Sequence, residues 1–116
     1  MNCEYQSNTS KAGLCVDFAG TPYLYPVQAG EKNIVKIKLT GSDYYDKILA
    51  ERISGIGLNK IKGKYTWHHL DDFDPNTNTC TMQLVDTNVH RACSYHIGAV
   101  EIVKRFYPDT KLYTNR

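Results

Sequence analysis

Residues 65–90 read YTWHHLDDFDPNTNTCTMQLVDTNVH and hold three of the chain's four histidines, His68, His69 and His90. YTWHH (65–69) and CTMQLV (80–85) are runs of β-formers, and DDFDPNTNT between them is dense in turn residues. The pattern predicts a β-hairpin with a long acidic loop. Asp86 or Thr87 then stands where a helix N-cap is wanted, and NVHRACSYH (88–96) has helical spacing. Two strands and a helix can gather imidazoles that are distant in the chain around one point. Neutral imidazole is the commonest metal ligand and the side chain best suited to base work near pH 7. Adjacent strand residues point to opposite faces, so a doublet can send one ring to a cation and the other to an attacking water.

Upstream, NIVKIKLTG (33–41) alternates, with Val35, Ile37 and Leu39 on one face and Lys36 and Lys38 on the other. That predicts a half-buried strand with a basic outer face. Ser42 is the expected N-cap of a helix over DYYDKILAERIS, in which Tyr45, Ile48, Leu49 and Ile53 repeat at helical spacing and Gly55 marks the end. GIGLNKIKGK (55–64) reads as a glycine- and lysine-rich connector. The first thirty residues, with AGTPYLYPVQAG at 19–30, read as short extended pieces and loops. Downstream, Gly98 predicts a break before AVEIVKRF (99–106), a closing amphipathic helix.

The length of 116 residues, with 41% hydrophobic and 22% charged, fits one globular domain and excludes a disordered tail. No apolar run approaches the roughly 18 residues that span a bilayer, so no membrane-spanning segment is expected. MNCEYQSNTSKAG is polar with no apolar centre, unlike a signal peptide. A cytoplasmic protein, or a piece of a longer one whose export signal lies elsewhere, is the expectation. Net charge is +2, but Lys32–Lys64 holds eight Lys/Arg against three acids, and Asp71–Asp86 holds four acids and no base. The basic half suits a polyanion or is simply a solvated face. The four cysteines, Cys3, Cys15, Cys80 and Cys93, form no C-x-x-C pair, which argues against a zinc ribbon. Free buried thiols are expected, with Cys80–Cys93 and Cys3–Cys15 the pairs open to oxidation.

The string YTWHHLDDF…TMQLVDTNVH…HIGAVEIVKRF resembles the Trp-His-His (WHH) family of nucleases in the HNH/endonuclease VII superfamily, over about Ile34 to Phe106. Domains of this family occur as C-terminal toxin modules of large bacterial polymorphic toxins. The resemblance implies an α+β fold: a ββα-metal (His-Me finger) nuclease core with N-terminal short strands and a helix. One domain would then cover residues 1–116, with an irregular part at 1–33, a strand–helix elaboration at 34–63 and the ββα-metal core at 64–106. The implied activity is metal-dependent DNA cleavage.

Carried over by motif, His68 matches a metal ligand of the catalytic centre, His69 the general base, and His90 the helix-borne metal ligand. His96 matches a later histidine, as a third ligand or a phosphate contact. Its six-residue offset from His90 turns it about 120° away on a continuous helix. Arg91 is placed to contact the scissile phosphate. Lys60, Lys62 and Lys64 would hold phosphates or form a solvated loop. Trp67 is expected to anchor the core rather than stack on a base. No residue matches the middle Asn of the HNH pattern; Gln83 is the nearest amide that could brace the finger loop. Gly98-Ala99 and Lys64 also stand where the family often has glycine. The implied cofactor is one divalent ion, with imidazole suiting Zn, Ni or Mn and Mg preferring oxygen. The acids Asp71, Asp72 and Asp74 would point away from DNA or bind an inhibitor. The implied partners are DNA and a cognate immunity protein. The implied setting is secretion or delivery as the C-terminal part of a larger bacterial toxin, acting in the target-cell cytoplasm. Two alternatives remain: a non-enzymatic module in which His68, His90, His96 and Cys93 close a structural zinc site, and an RNase toxin on the same scaffold.

Overall fold

The alternating apolar runs of the sequence become strands, and the turn-rich stretches become the loops between them. The computed structural model describes residues 8–9, 16–70 and 72–92. Near the N-terminus β1 (Asn8–Thr9) pairs antiparallel with β2 (Val16–Asp17). β3 (Ile34–Lys38) leads to α1 (Asp43–Ser54), a one-turn helix α2 (Leu58–Ile61), β4 (Tyr65–His69), β5 (Thr79–Asp86) and α3 (Thr87–Ala92). β3, β4 and β5 form one antiparallel sheet in the order β3-β5-β4. The expected hairpin of β4 and β5 is present, with Trp67 opposite Leu84, His68 opposite Gln83 and His69 opposite Met82. Leu24 bridges to Val85, so residues around it continue the sheet where β3 stops.

β5 is buried on both faces because each face carries its own apolar layer. On one face Val35, Ile37, Trp67, Cys80, Met82 and Leu84 pack with Ala50, Ile56 and Ile61 as the main core. On the other, Val85 packs with Phe18 and with Val89 of α3 in a smaller cluster. The mixture of antiparallel strands and helices is the α+β class expected. Cys80 is a free thiol, fully buried. Burial pushes its pKa far above the ordinary thiol range, and the charges of Asp72 and Asp46 push it further. Among the described residues, no helix is long and apolar enough to cross a membrane.

α1 begins as expected, with Ser42 Oγ accepting from Tyr45 N, and ends at Gly55 in the left-handed region (φ 75°). Its buried face differs from the expected one. Tyr45 and Ile53 are exposed, Ile48 and Leu49 only half-buried, and the residues facing inward are Asp46, Ala50 and Ser54. The reason is polar: Asp46 Oδ1 accepts from Thr40 N and Thr40 Oγ1, each at 2.7 Å, which fixes the first turn against the end of β3. The connector at 55–64 is also more ordered than glycine and lysine suggested. Ile56 and Ile61 enter the core and draw α2 between them. The Gly98 break, the helix over 99–106, and Cys3, Cys15 and Cys93 lie outside the described residues.

Gly55 and Gly63 both have positive φ, 75° and 76°, but a Cβ at Gly55 would sit 2.9 Å from the carbonyl oxygen of Gly30 and one at Gly63 would meet nothing. Gly63→Ala is therefore expected to cost about 1 kcal/mol of backbone strain. Gly55→Ala should cost clearly more, read from urea denaturation midpoints of the two variants.

Candidate active site

The pleat of β4 sends His68 and His69 to opposite faces of the sheet. His68 is 1% exposed. Its ring stands edge-on to Phe18 (centroids 5.3 Å, 84°) and to His90 (5.3 Å, 65°). His90 reaches it from α3, whose start is pinned three times. Asp86 Oδ1 caps the helix by accepting from Asn88 N (2.8 Å) and Val89 N (3.1 Å). Thr87 and Thr66 hydroxyls are 2.8 Å apart, and Thr87 N donates to Lys64 O at 2.9 Å. Burial of Val89 then sets the helix rotation.

Two imidazoles bound to one tetrahedral cation at ~2.0–2.1 Å bring their ring centres to roughly 5.2 Å. The separation of the His68 and His90 ring centres is 5.3 Å, close to that spacing. Among the described residues there is no group of three or more His, Cys, Asp or Glu able to hold a metal. His96 lies outside them.

On the other face, His69 Nε2 lies 3.0 Å from Asp46 Oδ2, with the two side chains 9% and 0% exposed. Asp46 Oδ1 already accepts from the Thr40 backbone and hydroxyl, which marks the group as a carboxylate acceptor. With Asp46 ionised, the proton of this contact sits on His69 Nε2. On sequence, Asp46 reads only as an acid near a helix start, which the helix dipole favours in any case. A signal was there: Asp46, Ala50 and Ser54 stand four apart, a stripe of one acid and two small residues that lets the helix approach a strand closely.

Gln83 is also deeply buried, and its amide braces a different segment from the one expected. Oε1 accepts from Phe18 N (3.0 Å) and Nε2 donates to Asp17 Oδ1 (2.7 Å), so it secures the N-terminal stretch, not the loop after β4. The reason is register: Gln83 lies opposite His68 on the face that Phe18 covers. Gln83 thus fixes the backbone of Phe18, and the Phe18 ring abuts His68. Neither Asp17 nor Phe18 carried a sequence signal.

Trp67 is 4% exposed within the main core, as an anchor should be. Lys60 donates to Glu31 at 2.8 Å, which holds the Glu31 carboxyl below its ordinary range and raises Lys60 in return. Its charge is matched within the chain. Lys62 and Lys64 are exposed on the connector, and Arg91 is exposed on α3. Of the loop acids, Asp72 binds Thr81 N (2.8 Å) and Thr81 Oγ1, and Asp74 Oδ1 accepts from Asn76 N (2.8 Å). Both serve the turn itself; Asp71 lies outside the described residues.

A strand–strand–helix unit that joins a histidine pair on one face to a carboxylate-held histidine at the strand end is an arrangement suited to phosphodiester hydrolysis. The comparison with known families agrees on the class: residues 59–106 match a family described as a nuclease of the HNH/ENDO VII superfamily with conserved WHH. The matched segment is thus of the WHH family, its Trp-His-His being Trp67, His68 and His69. No curated protein and no solved structure shows significant similarity to the chain.

Removing either buried brace should be costly. Asp46→Ala strips the acceptor from His69 Nε2 and Thr40 N together, and a loss of about 3 kcal/mol or more is expected. Gln83→Leu leaves the Phe18 N–H without its acceptor and should cost about 1–3 kcal/mol. Urea denaturation of the two variants measures both.

Proposed function

We propose that this chain is a metal-dependent DNA endonuclease acting as an antibacterial toxin domain. The observation that carries the reading is the His68–His90 pair, 5.3 Å between ring centres, on the strand–strand–helix unit within the matched nuclease segment. That unit is read as the ββα-metal core. His68 and His90, with His96 as a third donor, would hold one divalent ion (Zn, Ni, Mn or Mg). When bound, the ion supplies Lewis-acid stabilisation of charge on the phosphate and on the leaving oxygen.

The chain's own residues do the rest. His69 takes the proton from the attacking water at Nδ1, while Asp46 holds the ring and stabilises the imidazolium that results. His69 is the last residue of β4, and its ring and that of His68 leave opposite faces. A phosphate served by both therefore lies across the end of the strand. Arg91, Lys62 and Lys64 offer cations for neighbouring phosphates, and Lys60 offers one only against Glu31.

The toxin role rests on the family resemblance. An enzyme of this kind threatens its maker's genome, which calls for a cognate immunity protein, and an acidic one would suit the basic stretch 32–64. Secretion or delivery as the C-terminal part of a larger bacterial toxin, with action in the target-cell cytoplasm, belongs to the same reading. The near-complete burial of His68 favours one rival, a structural zinc site completed by His96 and Cys93.

Purified protein incubated with supercoiled plasmid and, in parallel, total RNA, across a panel of divalent ions and a chelator, tests the proposal. Cleavage of plasmid that chelator abolishes is expected. His69→Ala should lower the rate roughly 10²–10⁴-fold while metal content is kept, and His90→Ala should lower metal content and rate together. Metal retained with no cleavage by any ion would favour the structural zinc site, and cleavage of RNA alone would move the substrate to RNA.

A further inference from the structure

α1, the α2–β4 connector and β4 border an open cavity of about 300 Å³ beside the Trp67 end of β4. Tyr44, Lys47 and Glu51 line it from α1, Lys62 from the connector, and Tyr65 and Trp67 from β4.

The wall chemistry narrows the ligand. Tyr44 and Tyr65 suit a flat ring, and Lys62 suits a phosphate attached to it. A nucleobase with its phosphate combines both. Position supports the same occupant, because Trp67 and His69 lie on one face of β4 two residues apart, and Lys47 follows Asp46 on α1. A strand whose phosphate stands at His69 can therefore place a neighbouring base here.

We infer that this cavity is a subsite for one unpaired nucleobase of the substrate strand, neighbouring along β4 the candidate general base. The inference deepens the nuclease reading and rests on it. A paired base inside a duplex is sealed on both sides by its neighbours, so occupancy selects single-stranded or locally opened nucleic acid.

Trp67 is the chain's single tryptophan, so its fluorescence reports the cavity without any turnover. In chelator, a short single-stranded oligodeoxynucleotide should change the emission saturably, and a fully abasic strand of equal length, or inorganic phosphate, should not. Tyr44, 68% exposed, can be truncated without touching the core. Tyr44→Ala and Lys62→Ala should each weaken the response roughly five- to a hundredfold. An equal response to the abasic strand, or emission indifferent to every strand, overturns the subsite, and indifference would fit a protein segment as occupant instead. The plasmid assay separates the two readings: cleavage with unmoved emission removes the subsite alone, and base-dependent emission without cleavage under any ion removes the nuclease alone.

Discussion

Successive side chains of β4 leave the sheet on opposite faces, and that alternation assigns His68 to α3 and His69 to α1. The rest of the arrangement follows from it. A buried imidazole needs a partner on its own side, so each face of the sheet is provisioned separately. One face presents Phe18, Gln83 and His90 around His68. The other presents Asp46 to His69 from the first turn of α1.

The two provisions differ in kind. On the His68 side the support is layered, with an amide fixing a backbone, that backbone carrying a phenyl ring, and the ring standing against the imidazole. Two histidines from different elements meet there, which is what shared ligation of a cation asks. On the His69 side the support is direct and polar, a carboxylate held by Thr40 and aimed at one ring nitrogen. With Asp46 ionised, that contact orients the ring and sets its tautomer. Spatial separation of the candidate ligand and the candidate base by a single strand would suit a substrate that passes over the strand end.

Burying Asp46 also explains the shape of α1. The helix turns its acid and two small residues to the sheet and leaves Tyr44 and Tyr45 facing out, their rings 5.2 Å apart. Tyr44, Lys47, Ile48 and Glu51, in the same turns as Asp46 and Ala50, line the cavity beside β4. The lysines divide similarly: Lys60 is tied to Glu31 beside Tyr25, and Lys62 borders the cavity.

What the sequence determined by itself was local. Period-two alternation announced β3, the hairpin of β4 and β5 was readable from β-formers around turn residues, and Ser42 and Gly55 marked the ends of α1 through capping chemistry that acts within a few residues. The doublet and His90 could be named as one constellation because the WHH string is specific. The partners across the fold were legible nowhere. Asp46 beside His69 depends on how α1 rotates against β3, and Gln83 beneath Phe18 depends on the hairpin register and on a turn sixty-five residues away in the chain. Such contacts are selected by packing two apolar layers on one strand, a three-dimensional condition that no single segment encodes. Tertiary structure alone therefore decided which acid stands behind the candidate base and which ring stands behind the candidate ligand.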